Sequence, residues 1–251
     1  MEGKTILVTG ASRGIGREIC LQLASLKNVN VALADVNVCE ETINLMKEIN
    51  PSVETLSIVC DISKSDQVED MVNRVVVKFG RLDGAVNNAG ILGQMARIGE
   101  YDESMFSKMM DINIKGTWLC IKYQVKQMEK QGKGDYSIVN ISSIAGVLSF
   151  PYNSGYSAVK HAILGITKSA AAEYGALNIR CNAVLPGASE TAMLREYLPP
   201  GEATAQLEGH VPLKRVSHPS EIAKPVLFLL SPESSYITGQ SLIADGGLTI
   251  V

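Results

Sequence analysis

Short apolar runs alternate with longer stretches of helical pattern along the whole chain. The apolar runs are rich in β-branched residues and are bounded by turn residues or charges, which is typical of strands. They predict strands at 5–9, 29–35, 53–59, 82–87, 136–141, 178–184 and 241–244. The stretches between them predict helices at 14–26, 38–49, 64–79, 103–129, 155–174 and 219–230.

This alternation is typical of βαβ units, in which parallel strands are covered by helices on both faces. We therefore predict an α/β fold with one doubly wound parallel sheet of about seven strands, in a single domain that spans residues 1–251.

Residues 186–218 depart from the alternation because they contain no strand pattern. A connection of this length inside a compact domain is usually functional, which favours a lid over a substrate. A solvated insertion without function is the alternative.

Composition and charge exclude several classes of protein. The chain has 23 Lys and Arg against 26 Asp and Glu, which is too little positive charge for a nucleic-acid-binding surface. The first apolar run is too short for a secretory signal, and no run approaches the length of a membrane span. The five cysteines and three histidines follow no metal-ligand spacing. We predict a soluble cytoplasmic protein that binds neither nucleic acid, nor membrane, nor metal.

The turn between the first strand and the first helix, TGASRGIG, is rich in glycine. Gly10 permits a tight turn, Gly14 permits close approach of a ligand, and Gly16 permits close packing of the helix on the sheet. The helix N-terminus offers free N–H groups to a pyrophosphate. The pattern predicts a dinucleotide cradle formed by Gly10, Ser12, Arg13, Gly14, Ile15 and Gly16.

Asp35 and Arg13 favour different cofactors. Asp35 ends the second predicted strand, where a carboxylate accepts hydrogen bonds from a ribose 2′-hydroxyl and repels a 2′-phosphate. Arg13 stands beside the cradle, where a guanidinium can hold this phosphate. Because repulsion by Asp35 acts at close range in a partly dry site, we predict NAD rather than NADP.

The ends of the third and fourth strands supply further candidates. Asp61 and Ile62 follow the third strand, at the expected adenine edge. Asn88, Ala89 and Gly90 follow the fourth, where backbone can pass close to a ribose. Ligands of open α/β sheets bind at these carboxyl ends.

Ser143, Tyr156 and Lys160 form a candidate catalytic set. Tyr156 and Lys160 are one turn apart on a predicted helix, and Ser143 follows the fifth predicted strand. A free tyrosine is a poor base at neutral pH, but an ammonium group nearby stabilises its phenolate and lowers its pKa. A serine hydroxyl can hold the substrate oxygen, and Asn113 could link Lys160 to water. Each residue alone is more simply a turn residue or a helix-surface pair, but their combination favours proton transfer during interconversion of an alcohol and a ketone.

Together these motifs resemble the short-chain dehydrogenase/reductase family. TGASRGIG, NNAG, Asn113, NISS, YSAVK and PGASET follow one another in the order and spacing of the family, from Lys4 to Gly247. The resemblance implies a Rossmann fold, nicotinamide-dependent oxidoreduction and assembly as a homodimer or homotetramer through the two long helices. It implies an Asn113–Ser143–Tyr156–Lys160 tetrad, in which Tyr156 and Lys160 also contact the cofactor. It further implies that the nicotinamide is contacted by Pro186, Gly187, Ser189 and Thr191.

The resemblance leaves the substrate open. Family members that reduce 3-oxoacyl groups on an acyl carrier present an Arg where this chain has Ala172, prefer NADPH and lack an acid like Asp35. We therefore favour an NAD(H)-dependent enzyme that interconverts a secondary alcohol and a ketone. An NADPH-dependent 3-oxoacyl-type or other carbonyl reductase remains an alternative. So do a non-catalytic dinucleotide-binding scaffold or sensor, and an epimerase or dehydratase on the same fold.

The predicted substrate pocket combines apolar and polar side chains. Its candidate residues are Gln94, Phe150, Tyr152 and, in the lid, Tyr197. This mixture fits a small or mid-sized hydrophobic ketone or alcohol.

Overall fold

The computed structural model describes residues 1–198 and 201–251, without the side chains at 197, 202 and 203. Its strands are β1 (Thr5–Thr9), β2 (Asn30–Asp35), β3 (Thr55–Val59), β4 (Gly84–Asn87), β5 (Tyr136–Ile141), β6 (Ile179–Pro186) and β7 (Ser241–Ala244). They form one sheet in the order β3-β2-β1-β4-β5-β6-β7. All neighbouring strands are parallel. The predicted doubly wound Rossmann-type fold is confirmed, and the strand ends differ from the predicted ones by up to two residues.

Helices cover both faces of this sheet. They are α1 (Gly14–Ala24), α2 (Glu40–Ile49), α3 (Ser65–Phe79), α4 (Glu103–Met109), α5 (Thr117–Gln131), α6 (Ser154–Tyr174), α7 (Ala192–Tyr197), α8 (Glu202–His210) and α9 (Pro219–Leu230). No helix in the described ranges is long and apolar enough to cross a membrane.

The core has one apolar layer on each face of the sheet. On one face α1, α2 and α9 bury side chains such as Ile19 and Met46. On the other face α3, α5 and α6 bury Met71 and Met128. Full burial of such a side chain contributes about 1.5–3 kcal/mol relative to exposure, so the sheet is held between two helical layers.

A polar network lies within the second layer, beneath the carboxyl ends of β4 and β5. Asn87 Nδ2 donates to Gln124 Oε1 at 3.1 Å and to Asn140 Oδ1 at 2.9 Å. Asn140 Nδ2 in turn donates to Thr167 Oγ1 at 2.9 Å. All four side chains are buried. Because these polar groups are satisfied by one another, the network ties β4 and β5 to α5 and α6 in one register.

The structure interrupts the predicted helix 103–129. A π-helical segment, Met110–Gly116, separates α4 from α5. Asn113 lies in this segment, and its side chain is bound to the backbone of Ile91. Wide turns of this kind are frequent at functional sites, because the extra residue re-aims a side chain.

The segment 186–218, predicted without regular structure, contains α7 and α8. Thr191 caps α7, since its Oγ1 accepts a hydrogen bond from Leu194 N at 3.2 Å. Both helices are short, and short helices leave little periodic pattern to detect. The segment is therefore a pair of helices rather than an open loop, and its role as a lid stays a prediction.

Candidate active site

One cleft of about 770 Å³ lies along the carboxyl ends of the strands, between the glycine-rich turn and α6. It brings together most of the residues that the sequence predicted for cofactor and catalysis. Those that line it are Gly10, Ser12, Arg13, Gly14, Ile15, Asp35, Asp61, Ile62, Asn88, Ala89, Gly90, Ser143, Phe150, Tyr156, Lys160, Pro186, Gly187, Ser189 and Thr191.

The glycine-rich turn has the geometry that its sequence predicts. Gly10 and Gly14 have φ angles of 67° and 60°, in the left-handed region that favours glycine. The N-terminus of α1 begins at Gly14, so its free N–H groups lie at the cleft. Thr191, at the start of α7, lies opposite, because a Cβ on Gly14 would be 3.5 Å from its Cγ2. The turn therefore fits the pyrophosphate of a dinucleotide.

Gly16 packs against the backbone of this turn and does not line the cleft. A Cβ at this position would overlap the carbonyl oxygen of Gly10 and would lie 2.6 Å from Asn88 Nδ2. Asn88 Nδ2 donates to the carbonyl oxygens of Thr9 at 3.0 Å and Gly10 at 3.1 Å. The sequence placed the backbone of Asn88 near a ribose but missed that its side chain fastens the end of β4 to the cradle.

Asp35 and Arg13 are the charged residues of the cradle whose partners bear on the choice of cofactor. The Asp35 carboxylate accepts hydrogen bonds from Ser12 N at 3.1 Å and from Asn37 N at 3.0 Å. The Arg13 guanidinium lies 3.6 Å from Glu196 of α7, with both side chains exposed. The carboxylate is thus fixed at the edge of the cleft, and Arg13 is paired with an acid of its own.

The predicted catalytic residues come from β5 and α6. Ser143 follows β5, and its Oγ accepts a hydrogen bond from Ala145 N at 3.1 Å. Tyr156 lies in the first turn of α6. Lys160, one turn further, donates from Nζ to the carbonyl oxygen of Ile141 at 3.0 Å. Its Nζ lies 5.4 Å from the centre of the Tyr156 ring. The three predicted side chains therefore share one wall of the cleft.

Burial dominates the protonation of this pair. It raises the pKa of Tyr156 to about 12, and a hydrogen bond from Ser143 opposes this rise. Burial lowers the pKa of Lys160 to about 8. The sequence predicted that Lys160 lowers the pKa of Tyr156. In the protein alone the shift is upward, because the loss of solvation outweighs the hydrogen bond from Ser143.

Asn113 holds the loop that borders the cleft. Its Oδ1 accepts from Ile91 N at 2.9 Å, and its Nδ2 donates to Ile91 O at 2.8 Å. The side chain is buried and does not line the cleft. Because the Asn113 carboxamide is engaged at both ends, the predicted link to Lys160 would have to run through its main-chain carbonyl.

We expect Lys160 to make the stability of the protein depend on pH. Below pH 8 both states hold the proton, and the folded state carries the cost of a buried charge. Between its folded pKa of about 8 and its unfolded value of 10.5, only the unfolded chain holds the proton, so stability rises with pH. Relative to Lys160→Met, the free energy of unfolding of the wild type should rise by roughly 2 kcal/mol between about pH 7 and 10.

Urea unfolding at a series of pH values measures this difference. The pH range of the comparison stops at about pH 10. Above this pH, Tyr156 reduces the stability of both proteins because its pKa is raised in the folded state. Lys168→Met, at an exposed position of the same helix, is the control and should leave the slope unchanged. Parallel curves for the wild type and Lys160→Met would contradict the expectation.

The structure separates the predicted pocket residues. Phe150 lines the cleft, whereas Gln94 and Tyr152 do not. Gln94 Oε1 accepts from Asp102 N at 3.2 Å, which holds its side chain within its own loop. The Tyr152 side chain is half exposed on the surface. Gln94 and Tyr152 therefore lie outside the lining of the cleft, and their roles in substrate binding stay predictions. The Tyr197 side chain lies outside the described residues.

Several lining residues were not predicted from the sequence. They include Asn37, Cys60, Ile112, Asn153, Gln206, Leu207, His210 and Leu248. Most belong to α8 or to loops that reach the cleft only in the folded chain. Among these residues, Asn153 could have been identified from the sequence, because it is a polar residue three positions before Tyr156.

Comparisons with known proteins cover the whole chain. A protein-family model described as enoyl-(acyl carrier protein) reductase matches residues 10–249. A 2,5-dichloro-2,5-cyclohexadiene-1,4-diol dehydrogenase of Sphingobium indicum is 40% identical over 262 residues, which cover 100% of this chain and 99% of that protein.

Solved structures also match over the whole chain. The crystal structure of levodione reductase matches with a TM-score of 0.96 and 34% identity, over 100% of this chain and 99% of that chain. Carveol dehydrogenase from Mycobacterium avium in complex with NAD matches with a TM-score of 0.92 and 29% identity, over 100% and 99% of the two chains.

These matches agree with the geometry of the cleft. The chain combines a doubly wound sheet with a glycine-rich turn after β1. It also carries the side chains of Ser143, Tyr156 and Lys160 on one wall of the cleft. Because the similarity extends over the full length of dehydrogenases and reductases with this fold, the chain is an oxidoreductase of the short-chain dehydrogenase/reductase family.

Proposed function

We propose that the protein is an NAD(H)-dependent enzyme that interconverts a secondary alcohol and a ketone, with Tyr156 as the general acid or base. One observation carries this proposal. Tyr156 lies in the cleft whose other end is the dinucleotide cradle, with Ser143 on the same wall and Lys160 one turn along α6.

The proposed roles follow from the groups that each side chain presents. In the direction of oxidation, Tyr156 as the phenolate accepts the hydroxyl proton of the substrate, and Ser143 holds the substrate oxygen. In the direction of reduction, Tyr156 returns this proton. The nicotinamide, when bound, supplies or accepts the hydride. Lys160, with a pKa of about 8, can exchange a proton near neutral pH and carries the positive charge that favours the Tyr156 phenolate.

We propose NAD as the cofactor because of the charges around Asp35. Its carboxylate stands at the expected ribose end of the cleft, while the guanidinium of Arg13 is directed to Glu196. Arg17 is likewise engaged, with Nη1 and Nη2 donating to Glu41 at 3.0 and 2.6 Å. The Asp35 carboxylate would repel a 2′-phosphate, whereas the guanidinium groups of Arg13 and Arg17 are already paired with carboxylates.

Replacing Asp35 with Ala is expected to shift the cofactor preference towards NADP. Removal of close-range repulsion should raise kcat/KM for NADP relative to NAD by roughly 10- to 100-fold. Steady-state kinetics with both cofactors measures this ratio. Glu48→Gln, at an exposed position of α2, removes the same charge far from the cleft and should leave the ratio unchanged. A wild type that prefers NADP would refute the assignment.

The proposed reaction is tested by thermal shift with NAD and NADP, followed by NADH formation on a panel of secondary alcohols. One relative is named for a cyclohexadiene diol, so the panel includes cyclohexanol and cyclohexanediols. Net NADH formation excludes both a non-catalytic scaffold or sensor and an epimerase or dehydratase that returns its hydride. Binding of NAD without turnover of any alcohol or ketone would overturn the proposal.

A second candidate function is an NADPH-dependent 3-oxoacyl-type reductase. The description of the matching family model, which names the acyl carrier protein, favours it. Ala172 is exposed on α6 and presents no positive charge to an acidic carrier. Faster reduction of a β-ketoacyl thioester with NADPH than of any simple ketone with NADH would establish this alternative.

We also propose that residues 186–218 form a lid and that the chain is a homodimer or homotetramer. Met193, Leu194 and Leu198 line the cleft, which supports closure over an apolar ligand. Trp118 and Phe106 are exposed on α5 and α4, as an interface between copies would require. Light scattering of the purified protein tests the assembly, and a monomer would refute it.

A further inference from the structure

Asn153 is the last residue before α6 and lies three positions before Tyr156. It lines the same cleft, and only 6% of its surface is exposed. Its Oδ1 is buried without a hydrogen-bond partner in the part of the chain that the structure describes. A buried polar side chain without a partner is rare in proteins and calls for an explanation.

Helix capping does not explain this asparagine. Asn is favoured at the residue before a helix because its oxygen accepts a hydrogen bond from an N–H of the first turn. Asn153 occupies that position but makes no side-chain capping bond. Its carboxamide is therefore not used to stabilise α6.

The backbone around Asn153 is nevertheless held on several sides. Asn153 N donates to Phe150 O at 3.2 Å, and Asn153 O accepts from Ser157 N at 2.9 Å. Ala96 N donates to Tyr152 O at 3.0 Å. Tyr152 has a φ of 65°, a left-handed conformation that is unfavourable for an aromatic residue. Strain of this kind persists where the surroundings enforce it, often at functional sites, so the backbone at Asn153 is fixed in the wall of the cleft.

The cleft that Asn153 lines also has apolar walls. Phe150, Ile144 and Leu92 are among its lining residues. Leaving a buried polar group unpaired costs about 1–3 kcal/mol, and a ligand recovers this cost once the carboxamide turns its oxygen towards the cleft. A carboxamide both donates and accepts hydrogen bonds, so it can bind a hydroxyl or a carbonyl oxygen.

We propose that Asn153 hydrogen-bonds a second oxygen of the substrate, so that the preferred substrates are diols and hydroxyketones rather than simple secondary alcohols. The inference rests on the proposed function, in which Tyr156 acts on the first oxygen. Asn153 and Tyr156 line the same cleft and are three residues apart in sequence. We therefore expect the two oxygens on neighbouring carbons or across a small ring.

The test compares kcat/KM for cyclohexanol with kcat/KM for the 1,2-, 1,3- and 1,4-cyclohexanediols. The wild type should prefer at least one diol by roughly 10-fold or more, because a buried polar group discriminates against a ligand that leaves it unpaired. Asn153→Leu, of similar volume but without the amide, should lower kcat/KM for that diol by roughly 10- to 100-fold. It should change kcat/KM for cyclohexanol by less than about threefold, since that alcohol never used the amide.

Ser157→Ala is the matched control. Ser157 Oγ is also buried without a partner in the described part of the chain, but Ser157 does not line the cleft. This variant should keep the wild-type ratio of kcat/KM for the diol to kcat/KM for cyclohexanol. Asn153→Ala serves as the second variant if Leu impairs folding, which thermal unfolding with NAD reports.

Two results would overturn the inference. One is a ratio of kcat/KM for the diol to kcat/KM for cyclohexanol that is unchanged in Asn153→Leu and Asn153→Ala. The other is an equal loss of kcat/KM on cyclohexanol and the diols, which would indicate a structural role. Turnover of cyclohexanol by a wild type that shows no preference for diols refutes the inference alone. Absence of turnover on every alcohol and ketone refutes the proposed function itself.

Discussion

Replacing Tyr156 with Phe is expected to lower kcat by roughly 10²- to 10⁴-fold, the contribution typical of general acid–base catalysis. The change removes one oxygen atom, which is the atom that exchanges the proton. The ring and its packing in the first turn of α6 remain, and at most one hydrogen bond to the cofactor is lost, so NAD affinity should fall by less than about 10-fold. A fall in kcat that far exceeds the fall in cofactor affinity therefore separates proton transfer from binding.

Stopped-flow or steady-state NADH formation measures kcat, and thermal shift with NAD measures cofactor binding. Tyr174→Phe is the matched control, because it removes the same atom from the far end of the same helix and away from the cleft. It should retain the activity of the wild type. Full turnover by Tyr156→Phe would refute the role of Tyr156 and with it the proposed mechanism.

Replacing Gly16 with Ala is expected to weaken both the fold and the cradle. The added methyl group would overlap the Gly10 carbonyl oxygen and press on Asn88 Nδ2, neither of which can move without opening the turn. Overpacking against backbone should lower the free energy of unfolding by at least about 3 kcal/mol. Distortion of the turn should raise the Kd for NAD by roughly 10-fold or more, since the pyrophosphate depends on its N–H groups.

Urea unfolding and isothermal titration with NAD measure the two effects of Gly16→Ala. Gly99→Ala provides the control, because nothing lies within 4 Å of a Cβ at that exposed position. It should alter neither stability nor affinity appreciably. Normal stability together with normal affinity in Gly16→Ala would contradict the close approach of α1 to β1.

Both predictions concern residues that sequence patterns identify, and the reason is local. Gly16 belongs to a turn whose conformation depends on its own few residues, and Tyr156 and Lys160 share a face because helical spacing requires it. The parallel sheet is predictable in the same way. Strands buried on both faces form continuous apolar runs, so the run at 5–9 predicts β1 without knowledge of its neighbours.

Other features depend on contacts between distant segments and leave no such pattern. The π-helical turn at Met110–Gly116 accompanies the binding of Asn113 to Ile91, and the spacing of residues 103–129 does not reveal it. Gln94 and Tyr152 were predicted in the pocket because they lie near it in sequence. The backbone conformation of their loops directs them elsewhere.

The sequence by itself therefore determined the order of the elements, the doubly wound sheet, the glycine-rich turn and the set formed by Ser143, Tyr156 and Lys160. These follow from periodicity and from short motifs, whose physics is confined to neighbouring residues. Only the tertiary structure decided that Asn88 fastens the cradle, that burial raises the pKa of Tyr156, and that Asn153 Oδ1 has no hydrogen-bond partner among the described residues. Solvation and hydrogen-bond satisfaction depend on every segment that surrounds a group, so they exist only once the chain has folded.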